Sequence, residues 1–209
     1  MSGDRAKRDT RVPVQKRGIR TRERILKAAE RLFAKKGYHG TNSNEIAAAA
    51  GVSTGSFYAY FPDKKLLFLE TLRKYNQDVR EKIMEGTREG EPPAEPDAGR
   101  ALIRRLIGRA LAAHEFSPAF HREATAMIFT DTDTFKLQAG EDARIIDALA
   151  SSLALYADSF GIRDTRSAAL VIFRATEGVI HHLRMHDEGE RESVLEELAV
   201  MLERYLLPV

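Results

Sequence analysis

The chain has 209 residues, 43% hydrophobic and 31% charged, enough for one large or two small soluble domains. It has no cysteine, which excludes disulfides and thiol catalysis and fits a reducing compartment. The net charge of +2 hides an asymmetry: residues 1–85 carry 19 Lys/Arg against 10 Asp/Glu, a net +9, while residues 86–209 carry 14 against 21, a net −7. Such a split suits a protein that holds a polyanion at one end.

Residues 1–17 are polar, basic and without pattern, and read as a flexible arm. A first helix is predicted over about 21–36, where Ile25, Ala28, Ala29, Leu32 and Phe33 form an apolar stripe, Thr21 serves as N-cap and Gly37 as the stop. Short helices follow over about 44–50 and 54–60. Pro62 breaks the chain, and Asp63 caps a long helix from Lys64 to about Glu85. Residues 86–97, with Gly86, Gly90, Pro92, Pro93 and Pro96, read as a linker. Further helices are predicted over about 98–114, 118–130, 134–160, 164–186 and 190–206. No strand-like alternation occurs, so the fold class is all-α. No apolar h-region marks a secretory signal, and the longest apolar run, Ala168 to Phe173, falls far short of the roughly 20 residues of a membrane span. The expectation is a cytoplasmic protein with no membrane partner.

The stretch from Glu45 to Phe61 carries the strongest signal. Ala47 is small where two helices must approach, and Gly51 can take the positive φ of a tight turn. Val52 is an apolar plug and Ser53 an N-cap. Phe57 and Phe61, at i and i+4, bury one face of the second helix. The other face presents Thr54, Gly55, Ser56, Tyr58 and Tyr60, small or hydroxylated groups able to reach phosphates and base edges. One of the two tyrosines can instead pack on the first helix. The pattern is a helix-turn-helix.

These residues, with Gly37-Tyr38-His39-Gly40-Thr41 before them and Phe61-Pro62-Asp63-Lys64 after, closely resemble the N-terminal domain of TetR-family transcriptional regulators over roughly residues 18–70. The resemblance implies an all-α homodimer that binds double-stranded DNA at a palindromic operator. It divides the chain into the arm 1–17, a DNA-binding domain 18–63 and an effector-binding and dimerisation domain 64–209. Thr54 and Gly55 would enter the major groove. Ser56, Tyr58 and Tyr60 match the family's phosphate contacts, and Lys64 its phosphate-binding lysine. Thr41 and Asn42 can bond phosphate, and Arg17, Arg20 and Arg22 add attraction independent of sequence. Lys65 reads as a solvated lysine. Family members often carry Lys or Gln where this chain has Thr54, which changes direct readout.

A small, lipophilic effector is expected to release a repressor from DNA. Its candidate lining is Leu102, Leu106, Phe116, Phe120, Met127, Phe135, Tyr156 and Phe173, with Arg109 and His181 for a polar or anionic head. The same residues can be plain core. Leu170, Phe173, Glu177, Gly178, Leu195, Leu198, Leu202 and Tyr205 form the expected dimer seam, or else close the monomer's own core. No catalytic set, cofactor or metal site is expected. The competing readings are an all-α enzyme, which lacks a nucleophile elbow, a phosphate loop or paired Glu-x-x-His motifs, and a helical adaptor without DNA binding.

Overall fold

The computed structural model describes residues 16–84, 96–114, 117–155, 157, 161–185 and 191–207. They form α1 (Lys16–Lys36), α2 (Ser43–Ala49), α3 (Thr54–Tyr60), α4 (Lys64–Met84), α5 (Pro96–His114), α6 (Pro118–Thr130), α7 (Thr132–Ala154), α8 (Thr165–Met185) and α9 (Arg191–Leu206), with no strand among the described residues. The all-α expectation therefore holds. None of these helices is long and apolar enough to cross a membrane.

Two boundaries differ from expectation for a local reason. Helix α1 begins at Lys16 rather than at Thr21, and the Thr21 hydroxyl donates back to the Arg17 carbonyl at 3.0 Å inside the helix instead of capping it. The predicted arm lies outside the described residues except for Lys16 and Arg17, which are already helical. Helix α7 begins at Thr132, because the Asp131 carboxylate accepts from the Thr134 backbone N–H at 2.9 Å and caps the first turn. The predicted linker lies outside the described residues up to Glu95.

The chain divides into two compact units. The first takes in residues up to Tyr75 together with 117–137. Its core is an aromatic stack running from α1 through α4 to α6. Phe33 meets Phe68 edge-on at 5.2 Å, Phe68 lies 6.0 Å from Phe120, and Tyr75 lies 5.4 Å from Phe120. Each fully buried phenylalanine here is worth about 3–5 kcal/mol against alanine. Helix α6 is therefore part of this unit, packed on α1, although 57 residues of chain (61–117) separate it from α3.

Side-chain bonds reinforce that packing. The Glu123 carboxylate on α6 accepts the backbone N–H of Tyr38, and Lys65 on α4 pairs with Asp131 and Asp133. Lys65 is thus bound rather than solvated. The Lys65 ammonium and the Thr134 groups hold the Asp131 carboxyl down at about 2. A carboxyl lowered on folding stabilises the native state above its unfolded pKa near 4 and loses that contribution as pH falls toward 2. Asp131→Asn, which keeps the cap, should cost about 1 kcal/mol at pH 7. The urea midpoints of variant and parent should converge by pH 2, and a gap unchanged with pH would refute the ion pair.

The second unit holds residues 76–116 and 138–209. Ile107, Ile146, Leu153, Ala168, Ala169, Ile172, Leu198, Ala199 and Leu202 form its core, from α5, α7, α8 and α9. Arg104 on α5 binds Glu196 and Glu203 of α9, and Arg174 on α8 binds the buried Asp142 of α7 at 2.8 Å. Leu198 and Leu202, expected at a dimer seam, instead close this core. Periodicity shows that a face is covered but not by which neighbour. Leu170, Gly178 and Tyr205 do lie exposed, Phe173 and Leu195 are half-buried against the core, and Glu177 pairs with Arg174.

Candidate nucleic-acid interface

The α2–turn–α3 segment is built almost wholly from local interactions. Asn42 caps α2, its Oδ1 accepting the Glu45 N–H at 3.0 Å. At the other end Gly51 takes φ +64. Its N–H reaches the Ala48 carbonyl and the Val52 N–H reaches the Ala47 carbonyl, both at 3.0 Å, the paired bonds of a Schellman stop. Ser53 then caps α3, accepting the Ser56 N–H at 3.1 Å. Ile46, Ala47 and Phe57 are buried between the two helices, with Phe61 behind them. A Cβ on Gly51 would meet nothing within 4 Å, so Gly51→Ala should carry only the backbone penalty of left-handed geometry. The expected loss is about 1 kcal/mol in a denaturation midpoint. A neutral substitution would contradict that turn.

With the apolar side fixed inward, Thr54, Gly55, Ser56 and Ala59 face outward and Tyr58 is 44% exposed, while Tyr60 is half-buried. Beside this face an open cleft of about 280 Å³ is lined by Thr41, Asn42, Ser43, Asn44, Tyr58 and Lys64. The outer side of α1 carries Lys16, Arg17, Arg20, Arg24, Lys27, Arg31 and Lys35, all exposed. Among the described residues none of these seven pairs with a carboxylate; Lys36 pairs with Glu45, and Arg22 with Glu70 at 2.9 Å.

Several expected contacts have other duties. Thr41 is only 2% exposed, and its hydroxyl donates to the Gly37 carbonyl at 2.8 Å. A buried hydroxyl must be satisfied inside the chain, so Thr41 is a brace for the loop and not a phosphate donor. Lys64 Nζ donates to the carbonyls of Tyr38 at 2.7 Å and Thr41 at 2.8 Å and lies 4.2 Å from the centre of the Tyr38 ring. Burial holds its pKa below the ordinary lysine value. Two of its three N–H groups are thereby used; the third is left for the cleft. Asn42 spends its carbonyl oxygen on the cap. Sequence reasoning missed Asn44, whose Oδ1 accepts the Thr54 hydroxyl at 3.3 Å, and the Glu123 bond to Tyr38. The partners of the latter are 85 positions apart, and no sequence pattern links them.

The expected effector lining is divided between the two units. Phe120 and Met127 are buried in the first unit, and Phe135, which belongs to it too, is 57% exposed. Phe116 and Tyr156 lie outside the described residues. Leu102, Leu106, Arg109, Phe173 and His181 belong to the second unit, where Arg109 lines an open cleft of about 260 Å³ with Lys82, Ala112 and Ala113. One guanidinium nitrogen of Arg109, Nη1, is buried without a hydrogen-bond partner among the described residues.

Comparison with known proteins agrees with this geometry. The model of the tetR family of bacterial regulatory proteins matches residues 25–71, and that of the tetracyclin repressor-like C-terminal domain matches residues 100–206. The chain belongs to the TetR family. The regulator LmrA of Bacillus subtilis (strain 168) is 40% identical over 76 residues, 36% of this chain and 40% of LmrA. Matches to the curated relatives span about a quarter to two fifths of their length. Solved TetR structures share the fold along nearly the whole chain. A Mesorhizobium loti regulator gives TM-score 0.70 at 22% identity, covering 92% of this chain and 98% of that one. The fatty acid degradation regulator FadR of Bacillus halodurans gives 0.65 at 21%, covering 87% and 94%. AibR, solved with isovaleryl coenzyme A and operator DNA, gives 0.59 at 19%, covering 88% and 99%. The arrangement of a helix-turn-helix region followed by a helical C-terminal region is thus that of the TetR fold.

Proposed function

We propose that the protein is a homodimeric transcriptional repressor, not an enzyme, that binds a palindromic operator and leaves it when a small lipophilic effector binds. The observation that carries this reading is the outward face of α3. Phe57 is buried, and Thr54, Gly55, Ser56 and Tyr58 are left facing outward beside a ridge of α1 cations that pair with no carboxylate among the described residues. Such a surface fits a major groove flanked by phosphates. Arg17, Arg20, Ser56, Tyr58, Tyr60 and the remaining Lys64 N–H are the proposed phosphate contacts.

A dimer is supported by Leu170, Val171, Met201 and Tyr205, large side chains left exposed on α8 and α9. Val171 is 60% exposed in the single chain, so Val171→Glu should leave the fold intact and yield monomers. Sedimentation equilibrium at micromolar concentration checks this, and a dimer unaffected by the charge would contradict it.

The effector proposal draws on the acyl-bearing ligand of AibR and on Arg109, whose orphaned N–H suits an anionic head. Fluorescence anisotropy of a bound duplex, titrated with fatty acids and their coenzyme A thioesters, tests it. Release of the duplex, with at least a tenfold loss of affinity, is expected; affinity indifferent to the whole series would overturn the lipophilic effector.

A further inference from the structure

The first residue of α3 and the second residue of α2 are tied together by one bond. Thr54 Oγ1 donates to Asn44 Oδ1 at 3.3 Å, and both side chains are exposed. The other polar groups around them are committed. The Thr41 hydroxyl is turned into the loop, the Asn42 carbonyl caps α2, and the Ser53 hydroxyl caps α3. Asn44 caps nothing. Its amide N–H groups have no partner among the described residues, and its Oδ1 keeps one lone pair after accepting from Thr54.

Three consequences follow from that bond. A threonine hydroxyl has a single hydrogen, so Thr54 gives its donor to Asn44 and presents only its methyl group and lone pairs outward. A hydroxyl can pair with either amide atom; here it pairs with Asn44 Oδ1, which leaves both Nδ2 N–H groups for a ligand. The chain thus offers an oriented donor beside an acceptor on a rigid pair of capped helices. Among the described residues beyond its chain neighbours and its own helix backbone, a Cβ on Gly55 would meet nothing nearer than Ser53 Oγ at 4.0 Å. Internal packing does not demand a glycine there.

A side-by-side donor and acceptor is the complement of one base edge in the major groove. Adenine presents the N7 acceptor beside the N6 donor; guanine presents two acceptors, and cytosine and thymine present one polar group each. Building on the DNA-binding reading above, we propose that Asn44 is a base-reading residue for adenine, that Thr54 is its positioning residue, and that each operator half-site carries an A·T pair facing them. The recognition head then draws its specificity from two helices. The short side chain at position 54 serves the reading by Asn44 in place of a longer reader of its own.

The test uses the full chain. An operator is recovered by selection from a randomised duplex library. Affinities are then measured by anisotropy for that operator and for every single-pair exchange in the half-site, with the parent, Asn44→Ala, Thr54→Val and the double variant. The parent should lose roughly 5- to 150-fold at one A·T position on exchange. Asn44→Ala should lose that preference alone while keeping discrimination elsewhere. Thr54→Val, which keeps the shape and removes the hydroxyl, should weaken the preference at the same pair. The double variant should discriminate no worse there than Asn44→Ala, because the two act as one unit. If Asn44→Ala weakens binding to all sequences alike, the residue is a phosphate contact and the proposal fails. Effects of the two substitutions at different base pairs, and additive, overturn it as well. A parent that enriches no sequence sinks the DNA-binding reading itself, a result distinct from either of these.

Discussion

Raising the salt from 50 to 200 mM should lower the affinity of this protein for its operator by about 10³- to 10⁵-fold. The figure follows from counterion release. Each neutralised phosphate steepens the dependence of log affinity on log salt by about 0.9, and a dimer that makes six to ten such contacts falls in that range. The structure supplies the cations: seven exposed lysines and arginines on α1, none paired with a carboxylate among the described residues. A cation already bound within the chain releases less on contact, and for that reason Arg22, Lys36 and Lys65 are left out of the count. A titration at five salt concentrations by anisotropy gives the slope. A slope shallower than about −3 would mean that the basic ridge does not meet the phosphates.

The second large effect is expected at Lys64. Its ammonium holds two backbone carbonyls of the loop between α1 and α2 and rests on the Tyr38 ring. Hydrogen bonds to a charged group contribute about 1.5–3 kcal/mol each, and the open cleft lets water replace part of that, so Lys64→Ala should destabilise the first unit by about 2–4 kcal/mol. DNA affinity should fall at least a hundredfold for all sequences alike, since the substitution removes the proposed phosphate donor and loosens the loop that leads through Asn42 into α2. Lys64→Met, which keeps the stem over Tyr38, separates packing from charge. It should recover part of the stability and none of the affinity. Chemical denaturation and anisotropy with matched and scrambled duplexes give both numbers. Unchanged stability in Lys64→Ala would show that the carbonyls do not depend on the ammonium.

The same residue shows where sequence reading stops. The turn from Ala50 to Ser53 was legible because its bonds span no more than five residues and each needs a particular side chain: glycine for the positive φ, serine for the cap. The buried face of α3 was legible from the spacing of Phe57 and Phe61. The partners of Lys64 are 23 and 26 positions away and are backbone carbonyls, which any residue supplies, so the sequence carries no mark of them. Phe120 and Met127 have the composition of a cavity wall, yet both are buried in the first unit, Phe120 against Phe68 and Tyr75, and composition cannot say which helix meets which. On α8 and α9 the apolar residues fall on two stripes. The inner stripe, with Leu198 and Leu202, closes the chain's own core. The outer one, with Leu170, Val171, Met201 and Tyr205, stays exposed. One-dimensional periodicity merges the two.

On the proposed reading, the outward face of α3 reads duplex DNA. Selection from a randomised duplex library tests it most directly, run in parallel with the parent and with a Thr54→Ala/Ser56→Ala/Tyr58→Ala variant shown by circular dichroism to keep its helices. The parent should enrich an inverted repeat, and the variant should enrich none. Recovery of the same repeat by both proteins would place DNA recognition on another surface of the molecule.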